Sequence, residues 1–292
     1  MKTVIIIGGG LGGLFTGALL AKEGYRVTVL EKNKTIGGGL QTFRRHGVCF
    51  ETGMHLLGGM RRGQTLDRLL RYLGISDKLR IKHVDALCMD QITYLSDGKT
   101  YRVPEGREAF IRYFAEQFPH EREAIEQYVE ALYRMVDEID FFYLRPTNDH
   151  VYTHGPEFMW PADRFVAHFI HDERLRDVLG YMNPMYGGME GHTPAYIHAL
   201  INVLYIEGPS RFQGGSQQLA DALADIILQH GGAVIGGDKV TSIDIDDRQM
   251  TAVHTQQGRT YTADTFISAI HPRQLIGMTD SHCFSKAFRK RI

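Results

Sequence analysis

The chain is expected to be an α/β protein. A parallel-sheet βαβ unit opens it, a long mixed α/β insertion interrupts that unit, and short strands near the end resume it. Three observations carry this expectation. A strand, glycine turn, helix, strand and acid follow one another within the first 31 residues. A middle stretch mixes helical and alternating hydrophobic periods. A closing run of short strands then supplies what a sheet begun at residue 4 still needs.

The opening unit is justified residue by residue. Val4-Ile5-Ile6-Ile7 is the apolar, β-branched run of a buried parallel strand. Gly8, Gly10 and Gly13 then complete G-x-G-x-x-G. Gly8 permits the tight turn, Gly10 leaves room for a pyrophosphate beside the backbone, and Gly13 lets the helix pack close on the strands. Gly17 repeats that last role one helical turn later. Residues Leu14 to Lys22 read as helix and Gly24 ends it. The helix N-terminus offers free N–H groups and a positive dipole end to phosphates. Arg26 to Leu30 reads as the second strand and delivers Glu31, 18 positions beyond Gly13. An acid near that spacing accepts hydrogen bonds from the adenosine ribose. A carboxylate there repels a 2′-phosphate, which favours FAD or NAD over NADP, although Lys32 follows it directly. Strand, glycines, helix, strand and acid in register make the unit Rossmann-like rather than a bare glycine-rich turn.

A second glycine cluster, Gly37-Gly38-Gly39, suits backbone passing close to an extended cofactor. Phe43 to Glu51 reads as a hairpin turning at His46-Gly47, and Thr52 to Gly59 as a short run flanked by glycines. Thr65 to Leu73 is helical, with leucines at 66, 69, 70 and 73. Strands are expected at Ile81 to Val84, Ala86 to Met89, Ile92 to Leu95 and Thr100 to Val103, the last pair turning at Asp97-Gly98. Helices follow at Glu108 to Phe118, Glu121 to Phe142, Ala162 to Phe169, Glu173 to Tyr181 and Pro194 to Ile206, with a loop at Pro156 to Pro161. Gly214-Gly215-Ser216 opens a helix from Gln217 to His230. Short strands close the chain at Ala233 to Ile235, Lys239 to Asp244, Met250 to His254, Thr260 to Ala263 and Thr265 to Ala269. The domain reading is a discontinuous nucleotide-binding domain over 1–60 and 208–292, with a substrate domain over 61–207.

Composition narrows the function classes. The chain has 292 residues, 43% hydrophobic and 23% charged, enough for a substantial core. A net charge of −1 gives no electrostatic case for nucleic acid. Cys49, Cys88 and Cys283 are widely spaced with no C-x-x-C, so no disulfide framework or zinc site is expected. Reduced thiols fit a cytoplasmic setting. Val4 to Ala21 is uncharged, but six glycines interrupt it and the nucleotide-binding reading explains them better than a leader or membrane span does.

Taken together, the glycine motif, Glu31 and the Gly37-Gly38-Gly39 cluster resemble the FAD-binding amine oxidase and phytoene desaturase superfamily. Phe50-Glu51-Thr52-Gly53-Met54-His55 looks like a segment of retinol saturases and carotenoid isomerase relatives. Tyr186-Gly187, His192, His198-Ala199-Leu200 and Gly214-Gly215-Ser216 follow in the same order, and Ile267 to Pro272 resembles the strand end that closes the flavin domain. Relatives often carry arginine after the second glycine pair, where this chain has Gly39-Leu40. Relatives also continue past the His-Pro segment, whereas this chain stops at Ile292 after what looks like the opening of a helix. The expectation is a truncated or split reading frame.

The resemblance implies FAD, with contacts from Gly8, Gly10, Leu11, Gly12, Gly13, Glu31, Lys32, Gly38, Gly39, Leu40, Met54, His55, Val240 and Ala269. It implies an oxidoreductase acting on carbon–carbon bonds of an isoprenoid polyene, as desaturase, saturase or isomerase. The alternatives are a non-catalytic remnant holding the ADP part of FAD, and an amine oxidase-type flavoenzyme. An unrelated NAD-dependent dehydrogenase leaves the second glycine cluster and His271-Pro272 unexplained. The flavin carries the chemistry, so no side-chain nucleophile or metal is expected. His55 is the one side chain considered as a ring contact or proton relay, against a buried histidine bonded to backbone. Phe141, Phe142, Tyr143, Met182, Met185, Tyr186 and Met189 are candidates for an apolar tunnel wall, against ordinary core. His192 and His198, six apart, share no helix face and suggest no metal. The partners implied are a small hydrophobic substrate, an electron donor or acceptor, and a peripheral membrane contact.

Overall fold

The structure is a computed structural model that describes residues 1–147, 153–247, 249–279 and 284–292. Cys283 lies outside the described residues. The chain opens with β1 (Thr3–Ile7), α1 (Leu11–Lys22), β2 (Arg26–Leu30) and the hairpin β3 (Thr42–Arg45) and β4 (Val48–Glu51). Next come α2 (Thr65–Leu73), β5 (Ile81–His83), β6 (Asp90–Thr93), β7 (Thr100–Val103), α3 (Arg107–Gln117) and α4 (Arg122–Asp137). Then follow α5 (Ala162–Phe169), α6 (Glu173–Leu179), α7 (Asn183–Tyr186), α8 (Ala195–Ile206) and β8 (Ser210–Phe212). The last part holds α9 (Gln217–Gln229), β9 (Ala233–Ile235), β10 (Val240–Asp246), β11 (Gln249–Thr255), β12 (Thr260–Tyr261), β13 (Thr265–Ser268), α10 (Pro272–Gly277) and α11 (Lys286–Arg291).

Two compact units divide the chain. The first comprises Met1–His55, Leu70–Arg80 and Phe212–Ile292, and the second Leu56–Leu69 and Ile81–Arg211. The boundaries differ from those read in the sequence. Residues 56–60 and 208–211 fall in the second unit, and the end of α2 with the turn after it falls in the first.

In the first unit a parallel sheet runs in the order β13-β1-β2-β9. The late strands β9 and β13 flank the early pair, so both ends of the sequence build one sheet. Strand alternation separates the two faces. Ile6 and Val27 face the helical side, where Ile227 of α9 comes close enough that a methyl on Gly17 would lie 2.9 Å from it. Ile5, Ile7 and Leu30 face the other way and pack with Val240, Ile243 and Val253 of the antiparallel β10-β11-β12 sheet.

The second unit is organised by an aromatic core in which Tyr101, Phe110, Phe114, Tyr128 and Phe165 are fully buried. The helix expected over Glu121 to Phe142 is shorter, because Ile139 turns extended at ψ 86° and a 3-10 turn over Asp140–Tyr143 follows. Ala86 to Met89 is not a strand. The Asp85 side chain accepts from the Leu87 N–H at 2.9 Å and its carbonyl from Cys88, so a local turn occupies the middle of the segment. Only its ends, the Ala86 carbonyl and the Met89 N–H, bond the Glu105 N–H and the Val103 carbonyl.

Candidate dinucleotide site

The two glycine clusters meet. Gly8 sits at φ +109°, a conformation that favours glycine, and carries the chain from β1 into the turn. The Gly37 N–H donates to the Gly9 carbonyl at 2.7 Å, and Gly10 pairs with Gly37 as an isolated parallel bridge. A methyl on Gly13 would lie 2.0 Å from the Gly8 carbonyl oxygen, so close helix–turn packing depends on its absence. Methyls on Gly10 and Gly12 would meet nothing within 4 Å. These two positions therefore leave open space beside the start of α1, where no acidic side chain occupies the first turn. A phosphate group fits that combination of free N–H groups and room.

Glu31 is buried at 7% exposure. One carboxylate oxygen accepts from the Gly9 N–H at 2.7 Å and the other from Asn33 N–H at 2.9 Å. The acid therefore fastens the glycine turn to the end of β2, and each oxygen keeps a lone pair for a ribose hydroxyl. Beside it lies a cleft of about 390 Å³ whose lining includes Gly8, Leu30, Glu31, Lys32, Val240 and Ile270. The cleft sits at the carboxyl ends of β1 and β2. There the sheet order reverses between β2 on one side of β1 and β13 on the other, the position where open α/β sheets bind ligands.

Gly38, Gly39 and Leu40 form one 3-10 turn, with Leu40 buried. The Met54 N–H donates to the Gly39 carbonyl at 3.2 Å, which brings the 52–55 segment to the second cluster. Ser216 joins them from far along the chain. Its hydroxyl donates to the Leu40 carbonyl at 2.9 Å, and its N–H donates to Glu51 at 3.0 Å. Sequence reasoning noted Glu51 and Ser216 only as motif neighbours; the structure shows that they bond each other.

The remaining sequence-selected residues divide. Leu11 is half-buried at the start of α1, and Val240 is buried at the start of β10. Ala269, just past β13, is exposed, and its N–H donates to the Ile7 carbonyl at 2.8 Å. Lys32 is exposed in the cleft lining, joined by Lys239, which sequence reading missed. His55 is exposed rather than a buried histidine bonded to backbone.

The second unit has its own cleft, about 780 Å³, lined in part by Asp163, Asp177, Asn183, Tyr186, Met189 and His198. Of the residues considered for an apolar tunnel wall, Tyr186 and Met189 line it, Met182 is core and Phe141 is 76% exposed. The carboxylates make this cleft polar. His198 is buried, with Nε2 2.7 Å from the Tyr128 hydroxyl and Nδ1 3.1 Å from the Tyr186 hydroxyl. Burial lowers the His198 pKa to about 4 and raises that of Tyr186 to about 12. Among the described residues no group of three His, Cys, Asp or Glu side chains is placed to hold a metal ion.

A parallel sheet, a glycine cradle open at Gly10 and Gly12, and an acid at the end of β2 define a dinucleotide-binding class of protein, and the residues present fit an ADP-containing cofactor. The chain belongs to the flavin containing amine oxidoreductase family, which matches residues 11–291. Its cofactor is FAD. The chain is 29% identical over 266 residues to all-trans-retinol 13,14-reductase of Homo sapiens, covering 83% of this chain and 42% of that protein. It is 27% identical over 281 residues to 4,4'-diaponeurosporene oxygenase of Staphylococcus aureus (strain USA300), covering 91% and 55%. The chain thus spans about half the length of these relatives. The fold matches an oxidoreductase from Methanosarcina mazei with a TM-score of 0.71 at 19% identity, over 99% of this chain and 63% of that one. The resemblance read from the motifs is borne out.

Proposed function

We propose that this chain is an FAD-dependent oxidoreductase that acts on carbon–carbon bonds of an isoprenoid polyene. The observation that carries the reading is the joined cradle of Gly9, Glu31 and Gly37 beside the open positions Gly10 and Gly12. In this reading Leu11, Gly12 and Gly13 at the start of α1 hold the pyrophosphate by backbone N–H groups. Glu31 accepts from the ribose, with Lys32 and Val240 at the cleft edge. Gly38, Gly39, Leu40, Met54 and His55 border the course of the cofactor from the second cluster, and Ala269 borders it from the end of β13. FAD, when bound, supplies hydride acceptance or donation at a carbon–carbon bond. The chain's own residues bind and orient it.

The relatives named for a retinol and for a diaponeurosporene support a small hydrophobic polyene as substrate class. Such a substrate is held in bilayers, so the reading includes a peripheral membrane contact on the cytoplasmic side. Among the described residues no helix is long and apolar enough to cross a membrane.

The test is an absorbance spectrum of the purified chain after FAD is added and excess removed. Retained flavin bands are expected, and anaerobic incubation with an acyclic polyene should then shift the polyene maxima as conjugation changes. A folded chain that retains no flavin overturns the reading.

A further inference from the structure

β3 and β4 pair with Phe43 opposite Phe50 and Arg45 opposite Val48, so these four residues share one face of the hairpin. Thr42, Arg44, Cys49 and Glu51 fall on the other face. That second face is covered by its own unit except at Arg44, which is exposed near the tip. Thr42 and Cys49 lie against Gly215, and Glu51 accepts from the Ser216 N–H. The first face is bare: Phe43 is 48%, Phe50 44% and Val48 55% exposed. The two rings stack on each other at 5.4 Å, 16° from parallel, and form one apolar surface rather than two scattered side chains.

The exposed tip of the hairpin carries charge of one sign. Between Glu31 and Glu51 the sequence has no carboxylate, while Lys32, Lys34, Arg44 and Arg45 are all present. Arg44, Arg45 and His46 are exposed at the tip. His46 and Gly47 both take positive φ, 49° and 79°, which makes the turn a tight two-residue one and the tip narrow.

We propose that this hairpin docks the protein on an anionic bilayer surface, with Phe43, Val48 and Phe50 in the interfacial region and Arg44 and Arg45 on lipid phosphates. Three apolar side chains are far fewer than the 20–30 residues a side of a stable protein interface, roughly, and such interfaces deplete charge at their centre. Aromatic and aliphatic groups collared by arginine match the demands of a headgroup boundary. The proposal deepens the function reading, since it rests on a polyene drawn from a bilayer and names the surface and lipid charge involved.

Co-sedimentation of the flavin-free chain with phosphatidylcholine vesicles, with and without one-quarter phosphatidylglycerol, tests it. Binding is expected on the anionic vesicles, weaker by at least tenfold without phosphatidylglycerol and reduced by 0.5 M salt. R44Q/R45Q is expected to weaken binding about 25-fold, roughly fivefold per arginine. F43S/F50S should weaken it at least tenfold with an unchanged far-ultraviolet circular dichroism spectrum. Should F43S/F50S misfold, Val48→Trp in a Trp160→Phe background keeps the test open, with blue-shifted emission expected only on anionic vesicles. Equal binding of both vesicle types, no binding to either, or an F43S/F50S effect confined to self-association in gel filtration overturns the proposal. No flavin or polyene enters the assay, so failure here and failure to retain FAD are separate results.

Discussion

The two units of this protein are built on opposite principles. The first is held by backbone that must come very close to backbone: Gly37 to Gly9, Gly13 to Gly8, Gly38 to Gly10. The second is held by large side chains, with Phe165 fully buried and its ring centroid 6.2 Å from Tyr128 and 5.4 Å from Phe169. A cradle made from missing side chains can bind a ligand along its backbone. A core made from rings can host one polar group deep inside only by bonding it fully, as Tyr128 and Tyr186 do for His198. The first unit is therefore sensitive to added atoms and the second to removed ones.

The largest effect should come from removing a ring. Phe165→Ala is expected to cost about 3–5 kcal/mol in the second unit, as a truncated buried phenylalanine does. Urea unfolding followed by circular dichroism measures it, and FAD retention should survive at urea concentrations that melt the variant's aromatic core. Loss of both together would erase the contrast between the units.

His198 gives the next effect, through pH. Its imidazole has a folded pKa of about 4, below the 6.5 of the unfolded chain, because burial disfavours the charged form. Below pH 6.5 the unfolded state takes a proton that the folded state refuses, so stability falls as pH drops towards 4. Above pH 6.5 the contribution is fully present. The span is on the order of 3 kcal/mol at about 1.36 kcal/mol per pKa unit. Melting temperatures between pH 7 and pH 4.5 should fall more steeply for the native chain than for His198→Gln. Parallel profiles would mean that the imidazole is not held neutral.

The same contrast explains what could be read before the structure. The first unit announced itself because its signals are local: a β-branched run, glycines at set spacing, an acid at the end of a strand. The hairpin turned at His46-Gly47 as expected for the same reason. The second unit hid its organisation because its pairings are remote, with Tyr128 and His198 70 residues apart. Ala86 to Met89 misled because its apolar pattern says nothing of the Asp85 side chain that captures the backbone. In the site, Glu31 was legible as a ligand group but not as the tie to Gly9, and Ser216 was legible as a motif but not as the partner of Glu51. Sequence position carries the spacing of a cradle and not the bonds that close it.

Two alanine substitutions sharpen the account of the cradle. Gly13→Ala drives a methyl into the Gly8 carbonyl at 2.0 Å and should cost about 2–3 kcal/mol, with loss of FAD retention. Gly10→Ala adds the same methyl into open space at φ −77°, which alanine tolerates. Thermal unfolding should leave Gly10→Ala unchanged while its FAD affinity falls at least tenfold. If both variants keep FAD, the pyrophosphate does not pass over this turn.

Glu31→Gln is the mildest change and the most diagnostic. The amide keeps the shape of the carboxylate but replaces one acceptor oxygen with a donor. Whichever way it turns, it leaves either the Gly9 or the Asn33 N–H facing an N–H₂ group. A lost charge-assisted bond of this kind costs about 1.5–2 kcal/mol, visible as a shift in urea midpoint. If the ribose also bonds here, FAD affinity should fall further than the fold destabilisation alone would cause. Riboflavin lacks the adenosine ribose, so its binding should not depend on residue 31 beyond that destabilisation. Equal losses for FAD and riboflavin would confine Glu31 to its structural tie.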